Sequence, residues 1–274
     1  MTKSQNIRCW LLAGTISIAA FPACWADEEG RLVLYEDFES IAKGDLGEVL
    51  ANDERLEVRE GVGAQGSRGL LATYEGYDRG SHRLTERFPL GVKGDEFSLN
   101  YDVRFERDFQ FVKGGKLHGL GPDKPITGGR SMRADGWSAR VTFKEEGSIR
   151  SYLYCQNKDG QYGTSVRHPT FRFERGRYYA ISLHAKLNSE PDKDDGFARI
   201  YVNGELLVDH RDVRFRGSMG DETLISQFMF STFHGGHEPD WAPNNEDGSY
   251  KDVHACFDNI SVYRGERVRT DPGG

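Results

Sequence analysis

Cysteine is scarce in this chain: its 274 residues hold four, and two of these, Cys9 and Cys24, fall within the first 26 positions. Cys155 and Cys256 remain, too few for a disulfide framework or a thiolate metal site. In an oxidising compartment they could pair, or they could stay as two buried thiols; the sequence leaves both open. Long apolar runs are missing after residue 26, which removes membrane-spanning helices and any stable membrane association from consideration. No stretch carries the 3.6-residue apolar period of a long amphipathic helix, and no internal repeat or linker divides the chain. Positive charge is also in deficit, with 36 Lys and Arg against 43 Asp and Glu and a net charge of −7. Such a chain is a poor partner for nucleic acid.

Metal-ligand spacing is absent as well. His234 and His237 flank Gly235-Gly236 ahead of Glu238 and Asp240, but in no defined ligand order. Asp192, Asp194 and Asp195 lack the EF-hand pattern and read as a solvated turn. No metal and no other cofactor is expected.

The first 26 residues have the form of an export leader. Lys3 and Arg8 give a charged start, Cys9 to Phe21 an apolar stretch too short to span a bilayer, and Cys24-Trp25-Ala26 a small-x-small cleavage site before Asp27. A lipoprotein leader anchored at Cys24 is the alternative, with Phe-Pro-Ala a poor approach to such a cysteine. A secreted or periplasmic product of about 248 residues is expected, and its net charge falls to about −9 once Lys3 and Arg8 are lost.

The remainder, 27–274, is rich in strand and turn signals, with 33 glycines and 12% aromatic residues. Strands are expected at 31–39, 69–75, 97–105, 109–117, 177–187, 197–210, 223–233 and 255–264, and a long loop at 118–136. Asn203-Gly204 marks a two-residue hairpin turn, and the Gly114-Gly115 pair a bulge or a close approach to backbone. The expected fold is all-β, a single-domain antiparallel β-sandwich, most simply a jelly roll of concanavalin type. A monomer is expected.

Residues 137–156, WSARVTFKEEGSIRSYLYCQ, read as a hairpin whose loop, Glu145-Glu146-Gly147, pairs residue 144 with 148. That register puts Trp137, Ala139, Phe143, Ile149, Leu153 and Cys155 on one face. On the other, Ser138 lies opposite Tyr154 and Arg140 opposite Tyr152. An Arg beside a Tyr favours the phenolate and so has a chemical reading, although Arg-Tyr pairs are also ordinary sheet contacts. Between Arg104 and Arg150 there are ten Lys or Arg against six Asp or Glu, a local basic surplus in an acidic chain. Lys116 shares strand parity with Gln110 and Val112 and is placed to face the same groove. In the following loop Arg130 and Arg133 offer forked donors for carboxylates. Gln156 at the end of the hairpin and His184 on the polar side of its strand are further candidate substrate contacts.

GGKLHGL, WSAR and SYLY together resemble the signature of polysaccharide lyase family 14, the alginate and glucuronan lyases. Lys116, Ser138, Arg140, Tyr152 and Tyr154 stand at the motif positions, separated by 22, 2, 12 and 2 residues. FSTFHGGHEPDWAP and FDNISVY extend the likeness over roughly 90–264; His118 stands where the family usually has proline. The resemblance implies a jelly roll whose cleft binds an anionic polysaccharide and cuts it by metal-independent β-elimination. Lys116 and Arg140 would hold and neutralise the substrate carboxylate, Ser138 would assist by hydrogen bonding, and Tyr152 or Tyr154 would serve as base and acid. Polymannuronate and glucuronan share their configuration at C4 and C5, so both fit, with alginate the first choice. Two rival readings are a glycoside hydrolase, for which no strand carries paired carboxylates, and a binding module that holds acidic glycan without cutting it.

Overall fold

Phe97, Leu99, Tyr101, Val103 and Phe105 alternate along one strand and are all fully buried, the pattern of a sheet with one face on a core. The computed structural model describes residues 30–273, so the leader assigned to residues 1–26 lies outside the described residues. Strands run in the order β1 (Leu32–Glu36), β2 (Leu56–Arg59), β3 (Gly69–Tyr74), β4 (Gly76–Tyr77), β5 (Gly80–Ser81), β6 (Leu84–Gly94), β7 (Glu96–Phe105) and β8 (Gly115–Gly121). They continue as β9 (Ser138–Phe143), β10 (Ile149–Tyr154), β11 (Tyr178–Lys186), β12 (Gly196–Val202), β13 (Glu205–Val213), β14 (Ile225–His234) and β15 (Val253–Arg264). Among the described residues the one α-helix is the short α1 (Leu46–Leu50), and no helix is long and apolar enough to cross a membrane.

Apart from β4 and β5, which pair only with each other, the strands form two facing antiparallel sheets, as expected for a β-sandwich jelly roll. One has eight strands, in the order β13-β12-β11-β7-β15-β3-β2 with β1 also on β15; the other has five, in the order β10-β9-β8-β14-β6. Between them lie Leu99, Tyr101, Phe105 and Phe257 from the first sheet and Leu117, Leu120, Ala139, Phe143 and Phe230 from the second, in one continuous core. Trp137 is fully buried against Phe215, and its indole N–H donates to the Thr223 carbonyl at 2.7 Å.

Both expected hairpins form. Asn203 and Gly204 take φ of 49° and 81°, the two left-handed positions that the tight turn between β12 and β13 requires. In the other, the Lys144 amide donates to the Ser148 carbonyl at 2.8 Å, and Glu146 joins Gly147 at positive φ. Cys155 and Cys256 are both buried and free.

Three expectations need correction. The strand expected at 109–117 begins only at Gly115, because Val112 and Gly114 turn the chain at φ of 40° and 112°. It then runs to Gly121, so the loop that follows starts later than expected. β2 and the eleven-residue β6 were not anticipated. β6 is an edge strand containing Pro89 and exposed over much of its length, so it carries neither a clean alternation nor the usual strand composition.

Phe143 is fully buried, with the rings of Phe105, Phe109 and Phe111 centred 5.3, 5.4 and 5.9 Å from its own. Phe143→Ala is expected to lower stability by about 3–5 kcal/mol, seen as a fall in the denaturant midpoint with little change in slope.

Candidate active site

The β9–β10 register is the expected one: Arg140 pairs with Tyr152, Ser138 with Tyr154 and Thr142 with Arg150. Side chains directly opposite in an antiparallel pair share a face, so these point away from the core that Ala139, Phe143 and Leu153 enter. β8 lies on the other side of β9 with an irregular register: Lys116 pairs with Thr142, but Gly119 with Arg140. The extra residue turns both Leu117 and His118 inward to full burial, while Lys116 stays on the outer face. The His118 ring packs on Tyr101, Phe230 and Phe257, and burial drives its pKa down to about 3. Gly119 is required here, because a Cβ would lie 2.4 Å from Arg140 Cγ.

A cleft of about 660 Å³ crosses the five-stranded sheet from β10 to β6. Six cations line it, Arg83, Arg87, Lys116, Arg130, Arg140 and Lys144, against one carboxylate, Glu86. Lys116 Nζ lies 5.2 Å from the Tyr152 ring centroid and 5.9 Å from those of Phe233 and Trp241. Arg140 is buried with its guanidinium carbon 5.5 Å from the Tyr152 centroid, and its Nε has no hydrogen-bond partner. Neither Lys116 nor Arg140 has an acidic partner among the described residues. No group of three or more His, Cys, Asp or Glu that could hold a metal occurs among the described residues.

Burial and mutual repulsion set the protonation states. Lys116 is lowered to about 7, first by burial and then by Arg140, Lys144 and Arg83. Lys144 falls to about 8 through burial and Arg150, partly opposed by Glu145. Tyr152 moves the other way: burial and its neighbour Tyr154 raise it, outweighing the Gly163 amide and Arg140. The expected phenolate is therefore not the resting state. Near neutral pH the cleft holds an amine that can accept a proton beside a phenol that can donate one.

Of the expected site residues, Lys116, Arg140, Tyr152 and Arg130 line the cleft together. Ser138 and Tyr154 share their face but do not reach the cavity. Both are fully buried; the Ser138 hydroxyl donates to the Ile126 carbonyl at 2.7 Å, and the Tyr154 hydroxyl accepts from the Gly129 amide at 2.6 Å. In this position the two anchor the loop that carries Thr127, Gly128 and Arg130 into the cleft, and Tyr154 also hydrogen-bonds Tyr152.

Three substrate-binding expectations are also corrected. Arg133 pairs with Asp135 at 2.9 Å outside the cleft. The Gln156 amide nitrogen donates to the carbonyls of Arg133, Gly136 and Phe215, so it ties loops together. His184 belongs to β11 of the eight-stranded sheet, where its Nε2 is 2.8 Å from Glu96 Oε1. A single sequence shows which side of its own strand a residue takes, but not which sheet the strand joins.

Other lining residues were not anticipated. Lys144 continues the Ser138, Arg140, Thr142 parity and could have been found from it. Arg83, Thr85 and Arg87 share one parity along or just before the edge strand β6. Tyr162, His237 and Trp241 come from loops, where no periodicity points to them. The Tyr162 hydroxyl and His237 Nε2 meet at 3.1 Å. Gly235 leaves room for Lys116, since a Cβ there would come within 2.7 Å of Nζ.

Residues 72–259 match the family model for Polysaccharide lyase 14. Among solved structures, the alginate lyase Aly36B in complex with alginate trisaccharide superposes with a TM-score of 0.68 at 24% identity, covering 85% of this chain and 98% of that one. The PL-14 alginate lyase from Aplysia kurodai gives 0.66 at 22% identity, over 85% and 99%. The endo-beta-1,4-glucuronan lyase from the fungus Trichoderma reesei gives 0.55 at 15% identity, over 85% and 95%. No curated protein matches.

Lys116 is half-buried, and its cationic form has no acidic partner among the described residues, which costs stability. Lys116→Met, of similar length and no charge, is expected to raise unfolding stability at neutral pH by about 1 kcal/mol, measured by urea denaturation.

Proposed function

Because the chain belongs to the polysaccharide lyase 14 family, we propose that this polysaccharide lyase cuts alginate in its polymannuronate blocks by β-elimination. Glucuronan, with the same arrangement at C4 and C5, is the second substrate to test. The observation that carries the reading is the set of six cations lining one cleft of an acidic protein, with Lys116 beside Tyr152. A polymer with a carboxylate on every sugar is the ligand such a cleft attracts.

In the proposed reaction Arg140 takes the substrate carboxylate, which makes the C5 proton acidic enough to remove. The Lys116 amine accepts that proton. The electron pair forms the C4–C5 double bond as the C4–O4 bond breaks, and the Tyr152 hydroxyl delivers a proton to the leaving O4. H5 and O4 of mannuronate and glucuronate leave from the same face of the sugar. Adjacent Lys116 and Tyr152 suit that syn geometry. Ser138 and Tyr154 act at one remove, through the loop bearing Arg130.

Export of the mature chain is part of the proposal, supported by the leader pattern from Lys3 to Ala26 and by the expected extracellular polymer. Amino-terminal sequencing of the exported protein should begin at Asp27.

Incubation with polymannuronate, polyguluronate and glucuronan separately, with chelator present, should give the ultraviolet absorbance of the unsaturated uronate product, fastest with polymannuronate. Tyr152→Phe should reduce kcat by about 10²–10⁴. No product from any of the three polymers, with binding retained, would leave a binding module.

The pH profile tests which group is the base. With Lys116 as base, kcat/KM rises as pH increases through about 7, where the ammonium loses its proton. A rise that begins only in the alkaline range would return the role to a tyrosine.

A further inference from the structure

We propose that Arg150 and Arg167, with Lys144 beside them, form a second carboxylate-binding subsite at the turn end of the cleft, which takes a uronate away from the bond being cut. The inference deepens the lyase reading and rests on it. Residues 164–168 lie along the free edge of β10: the Leu153 and Thr164 amides each donate to the other's carbonyl at 2.9 Å, the Ser151 amide donates to the Val166 carbonyl at 3.0 Å, and that of His168 to the Ile149 carbonyl at 3.2 Å. Arg150 and Arg167 are directly opposed in this added ladder.

Opposed residues of an antiparallel pair share a face, and like charges in that position repel. Arg150 is two residues from Tyr152 on β10, so its side chain takes the same outer face. It pairs across β9 with Thr142, which in turn pairs with Lys116 on β8. Thr142, Arg150 and Arg167 thus make a row about 7 Å along the strands from the row of Arg140 and Tyr152.

The fold gives the two arginines little relief, whereas the Lys144 ammonium lies 4.4 Å from the Trp241 ring centroid. Arg150 Nε is buried without a hydrogen-bond partner, and no ion pair relieves either arginine among the described residues. Burial and then Arg167 lower the pKa of Arg150, and burial and then Arg150 lower that of Lys144. The one acid felt by both Arg150 and Lys144 is Glu145 on the turn, while Glu146 faces Arg172 at 3.7 Å. Two arginines oppose each other on an edge that needs only backbone hydrogen bonds to be closed, with Lys144 near enough to feel Arg150. A carboxylate on the bound polymer would remove the repulsion, and two forked guanidiniums are suited to hold it. Lys144 also lines the main cleft, so the two sites are continuous.

The test compares wild type, Arg150→Gln, Arg167→Gln and the double variant on uronate oligosaccharides of increasing length and on polymer. Lys43→Gln, an exposed charge outside the cleft, controls for net charge. The shortest oligosaccharide cleaved should keep its kcat and KM within about twofold, while KM for polymer should rise roughly tenfold per arginine lost. That rise should shrink at high salt. Equal losses on short and long substrates, or an unchanged KM for polymer in the double variant, would overturn the subsite. Arg167 is exposed, so its variant reads the effect without a folding defect, checked by thermal melting. Binding of polymer to each arginine variant in a Tyr152→Phe background gives a readout that needs no turnover. Wild-type protein that neither cleaves nor binds any uronate polymer would instead defeat the lyase reading, and the subsite with it.

Discussion

The one-residue offset between β8 and β9 determines what the cleft contains. Between Lys116 and Gly119 the ladder carries an extra residue on β8, and strict alternation breaks. Without the offset, His118 would share the outer face with Lys116. With it, Leu117 and His118 both enter the core, and the outer face beside Arg140 is left to a glycine that lets the arginine lie close to the sheet. The lysine, the arginine and Tyr152 then meet with nothing between them.

Electrostatics follows from that packing. Arg140 and Lys116 stand together without an acidic partner among the described residues, and each is disfavoured as a cation by burial. Cation–π contact with Tyr152 offsets part of this, by about 0.5–2 kcal/mol per contact. The remainder is a standing cost that a bound anion would relieve. Burial also separates the proton affinities of Lys116 and Tyr152, since it penalises the cation of lysine and the anion of tyrosine. Near neutral pH the phenol stays protonated, while Lys116, lowered to about 7, is present in part as the free amine.

Around this centre, side chains that never touch the cavity control its shape. Ser138 and Tyr154 anchor the 126–130 loop, Gln156 ties three backbone carbonyls, and Trp137 links the hairpin to Thr223. Their polar atoms are satisfied by backbone, so they specify loop positions that apolar packing would leave loose.

Much of the architecture was legible in the chain because β-structure writes itself as local periodicity. The alternation of 97–105, the Asn203-Gly204 turn and the Arg140–Tyr152 pairing needed only a period of two and turn chemistry. The motif spacing from Lys116 to Tyr154 also picked out the strand faces that carry the site. Three things depended on contacts distant in sequence. Assignment of β11 to the opposite sheet removed His184 from the cleft; the closing of loops over the even-numbered face gave Ser138 and Tyr154 backbone partners in the 126–130 loop; and burial reversed the expected ionisation of Tyr152. Periodicity records which way a side chain leaves its own strand. What covers it, which sheet it joins and how much water it keeps are decided only when remote segments pack together.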